Sequence, residues 1–198
     1  MRVLICCLTY GSRPFDILHK NLQSAGMDYQ VKFINMEGIS NALNDGLDYI
    51  IDFDAIAFLA NDILEPNEWL AKKVKALKTY PEAGIVASSL DHERTFIESN
   101  FIISNWLMSR QVIDAVGIFN EDYFPYGAID LDYCQRSWMA GFKTYYVINC
   151  LAYHDGSHAS GNEYGYNKEE MVSKYWAKHT NDIESYRDGS KHFKIWKK

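Results

Sequence analysis

Residues 55–87 read AIAFLANDILEPNEWLAKKVKALKTYPEAGIVA. Ala55–Ala60 is a short apolar run bounded by polar residues, the pattern of a strand buried on both faces. Asn67–Tyr80 carries Leu70, Val74 and Leu77 at helical spacing, with Pro66 just before its start. Gly84–Ala87 is apolar again. One stretch therefore holds strand, helix and strand, and its first strand ends in the polar pair Asn61-Asp62.

The same rhythm extends upstream. Val3–Leu8 reads as a buried strand. Pro14 to about Ala25 reads as a helix with Ser12 as its cap. Tyr29–Ile34 alternates as a second strand, and Ser40–Ile51 places Ala42, Leu43, Leu47 and Ile50 on one helical stripe. Strand and helix alternate four times before residue 90, which predicts a single α/β domain with a mostly parallel central sheet flanked by helices. Ligands of such sheets bind beyond the carboxyl ends of the strands. Thr9–Tyr10, Asn35–Gly38 and Asn61–Asp62 all fall at such ends.

Downstream, Phe101–Met108 reads as a strand and Gln111–Val116 as a short helix. Ile129–Ala140 is a helix closed by Gly141. Phe142–Val147 and Cys150–Tyr153 read as two strands, and Lys168–His179 as a last helix.

The 198 residues suit one domain, and 47% hydrophobic with 23% charged content is ordinary for a globular chain. No apolar run approaches the roughly 20 residues of a membrane span. The opening MRVLICCLTYG lacks a small-residue cleavage pattern and reads as a buried strand rather than a signal peptide. Four scattered cysteines with no C-x-x-C spacing predict reduced thiols and a cytoplasmic location. The net charge of −6 disfavours general affinity for nucleic acid. Residues 168–198 are an exception, with eight Lys/Arg against five Asp/Glu. A solvated end is the plain reading of that tail, and an anion-binding patch the alternative.

Three elements could carry chemistry. Asp62 follows a buried strand; it reads either as a turn residue before Pro66 or as an oxygen ligand for a divalent cation that neutralises a diphosphate. Asp130 and Asp132 open a helix, where acidic residues also complement the helix dipole. Two positions apart, they point to different faces, so one can act as a general base while the other anchors the helix. His154 closes a strand. His158 lies four residues on, but Gly156 between them weakens a zinc reading. There is no G-x-S-x-G elbow, no G-x-G-x-x-G and no Walker-type loop.

Taken together, these elements resemble glycosyltransferase family 2, nucleotide-sugar-dependent enzymes of the GT-A fold. Leu8-Thr9-Tyr10 with Arg13 is similar to the family's first strand and donor turn. Gly38 through Gly46, GISNALNDG, resembles its "N-x-G … A-x-N-x-G" helix. Phe58-Leu59-Ala60-Asn61-Asp62 with Pro66 and Trp69-Leu70 resembles its metal-binding D-x-D region. Val116-Gly117, Phe119, Glu121, Tyr123-Phe124 and Tyr126-Gly127 resemble the segment before its catalytic helix. Asp130, Asp132, Cys134 and Arg136 with Ala140-Gly141-Phe142 match that helix, and Tyr153-His154 matches the histidine after the last core strand.

The resemblance implies a nucleotide-sugar-binding half over 1–90, an acceptor and catalytic half over 91–165, and a C-terminal helix and basic tail over 166–198. It implies inverting transfer of a sugar to an acceptor hydroxyl, with Asp130 as general base. Asp62 and His154 would hold Mn²⁺ or Mg²⁺. Thr9, Tyr10, Arg13, Glu37, Gly38, Asn41, Asn61 and Asp62 would bind the donor, expected to be a UDP-sugar. Trp106, Tyr123 and Tyr126 would contact a glycan or other hydroxyl acceptor, whereas Phe33, Phe53, Phe58 and Tyr145 fit the core.

The departures are Ala60 for the first D-x-D carboxylate, Ile129 for the acidic neighbour of the base, and a missing donor-base loop after the second strand. Asn35 or Glu37 would stand in for that loop. The lost carboxylates leave room for a non-catalytic nucleotide-sugar or glycan-binding module. A nucleotidyltransferase shares the alternating sheet but wants a glycine-rich basic loop, which Gly11-Ser12-Arg13 matches poorly. A phage-type enzyme that glycosylates DNA bases, with nucleic acid as acceptor, is the least expected alternative.

Overall fold

A computed structural model describes residues 1–9, 15–90, 97–98, 105–123 and 127–155, together with positions 170 and 173. The elements in chain order are β1 (Val3–Leu8), α1 (Asp16–Gln23), β2 (Gln30–Ile34), α2 (Ile39–Leu47), β3 (Ala55–Leu59), β4 (Ile63–Leu64), α3 (Trp69–Thr79), β5 (Ala83–Ser89), β6 (Ile97–Glu98), β7 (Trp106–Ser109), α4 (Arg110–Val116), α5 (Ile129–Met139), β8 (Lys143–Leu151) and β9 (Tyr153–His154). Short 3-10 turns lie at Ile50–Asp52 and Glu121–Tyr123.

Seven strands form one sheet in the order β2-β1-β3-β7-β5-β8-β6. The strands β2, β1, β3, β5 and β8 share one direction, and β7 and β6 run against it. Helices cover both faces, as the strand-helix alternation predicts. Side chains alternate along each strand, so the apolar runs feed two cores. Leu4, Cys6, Ile56, Phe58, Ile85 and Met108 pack under α2, α4 and α5. Val3, Ile5, Cys7, Ala57, Leu59 and Val86 pack under α1 and α3. In α2, Gly46 permits close approach to the sheet: a Cβ there would fall 2.6 Å from the Phe58 ring.

Four expectations need correction. Residues 142–147 and 150–153 are not two full strands. One strand, β8, runs from Lys143 to Leu151 through an irregularity that shifts its register on β5 between Val147 and Leu151, with Asn149 at φ 55°. The end of the expected second strand crosses into a separate ribbon, β4–β9, that the sequence did not suggest. Phe33 is not core: β2 is an edge strand, and the ring is 46% exposed with its edge on Phe15. The helix expected over Ser40–Ile51 stops at Leu47, and Ile50–Asp52 tightens into a 3-10 turn before β3. Phe58 and Tyr145 are buried as expected, and Phe53 is partly so. The expected Ser12 cap, strand positions 101–104 and all but 170 and 173 of the last helix lie outside the described residues.

Candidate functional site

Chain direction alone gathers the candidate residues at one edge. Thr9 follows β1, Glu37 and Gly38 follow β2, and Asn61–Asp62 follow β3, all strands of the same direction. Helix α5 ends beside the start of β8, so it runs back along the sheet and its first turn, with Asp130, faces that same carboxyl edge. Tyr10, Arg13 and Tyr126 lie outside the described residues.

The turn after β3 is the most closely built part of this edge. Residues Ile63 and Leu64 pair with His154 and Tyr153 as an antiparallel ribbon, and the Asp155 N–H donates to the Asp62 carbonyl at 2.7 Å. This pairing sets His154 Nε2 3.5 Å from Asp62 Oδ2. The carboxylate is mostly covered, at 16% exposure, while the imidazole is 45% exposed. Two residues distant in sequence thus share one site because a two-residue strand crosses between them.

Behind the turn lies a buried polar cluster that sequence reading missed. Lys73 Nζ and Glu65 Oε1 are 3.0 Å apart with both side chains fully buried. Lys73 also donates to the Asn105 carbonyl at 2.9 Å and lies 4.8 Å over the Trp69 ring. Glu65 accepts from the Ser88 hydroxyl and from Asn105 Nδ2. The Asn21 side chain accepts from the Glu65 N–H and donates to the Ile63 carbonyl, each at 2.8 Å. A signal was present. Lys73 lies three residues from Leu70 and four from Leu77, on the apolar stripe of α3, where a solvated lysine does not belong.

Thr9 is buried and committed locally: its N–H and hydroxyl both donate to the Ile34 carbonyl, at 2.8 and 2.9 Å. Gly38 is the N-cap of α2 at φ 80°, a conformation that disfavours side chains. Glu37 is exposed beside it, and Asn41 and Asn61 are half-buried.

On the opposite face, Asn44 of α2 clamps the segment that leads to α5. Its amide donates to the Phe119 carbonyl at 3.1 Å and to Glu121 at 2.9 Å, and accepts from the Phe119 N–H at 2.8 Å. Asp130, half-buried in the first turn of α5, accepts from the Leu131 N–H. Asp132 is buried and bonds Arg136 at 2.8 Å, whose guanidinium also reaches the Val116 and Ile118 carbonyls. The two aspartates therefore have different surroundings.

Trp106 and Tyr123 do not present rings to the crevice. Both are buried, and Trp106 stacks on Phe119, which stacks on Tyr133 at 4.1 Å between centroids. Trp106 and Tyr123, expected at the acceptor, are packed in the core under α5. Burial also pushes the Tyr123 and Tyr133 phenols well above their usual range.

An aspartate oxygen in the turn before β4 and an imidazole nitrogen on β9 suit a divalent first-row ion, which takes both donor types. Among the described residues no group of three His, Cys, Asp or Glu could hold a metal. Asp62 and His154 would thus supply two ligands, with other oxygens completing the shell.

A scan of family models gives no match. Comparison with curated proteins gives none either. Solved structures do match. The crystal structure of A197 from STIV is 18% identical with a TM-score of 0.60, over 78% of this chain and 85% of that one. The mannosyltransferase PcManGT from Pyrobaculum calidifontis, in complex with GDP-Man and Mn²⁺, is 18% identical with a TM-score of 0.62, over 78% of this chain and 56% of that one. The chain has a GT-A-type fold. GalNAc-T7 with UDP, GalNAc and Mn²⁺ shares it at 10% identity and a TM-score of 0.62, over 77% of this chain and 43% of that one. The described residues contain no helix long and apolar enough to cross a membrane.

Proposed function

We propose that this chain is a glycosyltransferase that moves a sugar from a nucleotide-sugar donor to an acceptor hydroxyl with inversion. The observation that carries the reading is the Asp62–His154 pair, 3.5 Å apart at the carboxyl edge of a GT-A-type sheet. The same edge carries Asp130 at the start of α5. Solved relatives of the fold hold nucleotide or nucleotide-sugar together with Mn²⁺, which supports reading the pair as a metal site of that kind.

A bound Mn²⁺ would neutralise charge on the departing nucleoside diphosphate. Asp62 and His154 would hold it, and the donor's diphosphate oxygens would complete its shell. Gly38 and Asn41, at the amino end of α2, would lie along the donor with Glu37 and Asn61, and Thr9 would fix the ends of β1 and β2 beneath it. Asp130 would take the proton from the acceptor hydroxyl as the new bond forms, since a hydroxyl is a poor nucleophile without a positioned base. Asp132, tied to Arg136, holds the helix.

The test is calorimetric titration of Mn²⁺ with UDP, and separately with GDP, into wild type and Asp62→Asn. The variant should bind at least about tenfold more weakly with little change in melting temperature. Equal affinities would remove Asp62 from the metal site. Release of nucleoside diphosphate from a nucleotide sugar then separates an enzyme from a binding module, and release of pyrophosphate would indicate a nucleotidyltransferase.

A further inference from the structure

We infer that Asn105 is a positioning residue for the Asp62 turn, its amide aimed by the buried Glu65–Lys73 pair. The inference rests on the reading of Asp62 as a ligand-holding carboxylate. Several contacts hold the backbone from Ala60 to Glu65, besides the β4–β9 pairing. Asp155 takes the Asp62 carbonyl, and Asn21 takes both the Ile63 carbonyl and the Glu65 N–H. All three contacts lie at Asp62 or beyond it in the chain. Closer to β3, Asn105 Oδ1 accepts from the Ala60 N–H at 2.7 Å. Loss of that bond would loosen the join between β3 and the β4–β9 ribbon at Ala60.

An amide can be placed either way round, so something must choose. Asn105 Nδ2 donates to Glu65 Oε1 at 3.0 Å. An ionised carboxylate can only accept, so it draws the NH₂ towards itself and leaves the oxygen facing Ala60. Lys73 neutralises that carboxylate at 3.0 Å and also holds the Asn105 backbone carbonyl at 2.9 Å. Asn105 itself is buried, at 2% exposure, so water cannot easily substitute for its contacts. Buried ion pairs add little net stability compared with apolar replacements. Here the pair has a directional task, which is to orient an amide whose other end sets the strand terminus carrying Asp62.

The experiment compares Asn105→Ala with Val112→Ala, a core truncation on the opposite face, at matched loss of melting temperature. Amide hydrogen exchange of Ala60 and Asp155 is read without metal, and Mn²⁺ affinity in the presence of UDP is read by titration. In Asn105→Ala both amides should exchange about fivefold faster or more, and Mn²⁺ affinity should fall about tenfold. In Val112→Ala neither should change. Unchanged exchange at Asp155 in Asn105→Ala, or an equal rise in Val112→Ala, overturns the inference. If wild type binds no Mn²⁺ with UDP, the donor-site reading fails, and the exchange data alone decide whether Asn105 positions the turn.

Discussion

The two faces of the sheet support their carboxylates by different means. Under α1 and α3, the Asp62 turn rests on a sealed Glu65–Lys73 pair with Asn21, Ser88 and Asn105 satisfying its remaining bonds. Under α2, α4 and α5, the approach to Asp130 rests on the Trp106–Phe119–Tyr133 stack, the amide clamp from Asn44, and the Asp132-paired Arg136 on the Val116 and Ile118 carbonyls. Charge in a core is stable only while every partner is present, because one lone buried ion costs several kcal/mol. Stacked rings lose stability more gradually as contacts are removed. The Asp62 turn thus rests on a fully buried ion pair, and the approach to Asp130 on stacked rings with a more exposed ion pair beside them.

The comparison is broken most sharply by chemistry on the base side. Asp130→Asn should lower transfer about 10²–10⁴-fold at saturating donor, while nucleoside diphosphate affinity and melting temperature hold. Asp132→Asn should instead lower the melting temperature, because it strands the Arg136 guanidinium. Reversed results would exchange the roles of the two aspartates.

On the other face, Lys73→Met should cost about 3–5 kcal/mol in urea unfolding by leaving Glu65 unpaired. Adding Glu65→Leu should recover much of that loss. A single-variant cost below about 1 kcal/mol, as for a surface pair, would mean that water reaches the cluster. Asn44→Ala should cost less, about 1–3 kcal/mol, the penalty for leaving the Phe119 N–H and carbonyl without their partner. A loss as large as that of Lys73→Met would erase the contrast between the faces.

The smallest effect expected is on thiol reactivity. Burial, with its neighbour Cys7 adding to it, pushes the Cys6 thiol up to about 12, and burial alone does the same for Cys7. The thiolate is the reactive form, so native protein should resist alkylation at both positions up to about pH 10 and react fully once unfolded. Rapid native labelling would show that β1 is not sealed between the two layers.

Much of the fold could be read from the chain, for reasons specific to each element. The bounds of β1 and β3 follow from apolar runs ended by polar residues, and α3 from its stripe. β4 and β9 have two residues each, too few for any period to register. The break in β8 falls at Asn149, whose positive φ lets the chain bulge and resume where sequence suggests a stop. Phe33 was misread because alternation marks a strand without saying whether a helix covers it. Of the site, Asp62 and His154 were each legible, but their meeting depends on the ribbon. Asn105 and Glu65 were not, since single polar residues near turns look solvated until the tertiary structure closes over them.

Strand β7 lies between β3 and β5, although the chain reaches it last of the three. During synthesis, β3 and β5 would emerge with no hydrogen-bonding neighbour on their facing sides until residues 106–109 arrive to fill the gap. A fragment ending near residue 90 would therefore leave β3 open on one side and β5 open on both, because β8 comes later still, the arrangement that invites aggregation. Joining strands in this order also requires long loops to close before the central pairing forms, which slows folding. The central gap fills before β8 joins β5 on its other side, and the two steps together set how long the nascent chain needs protection.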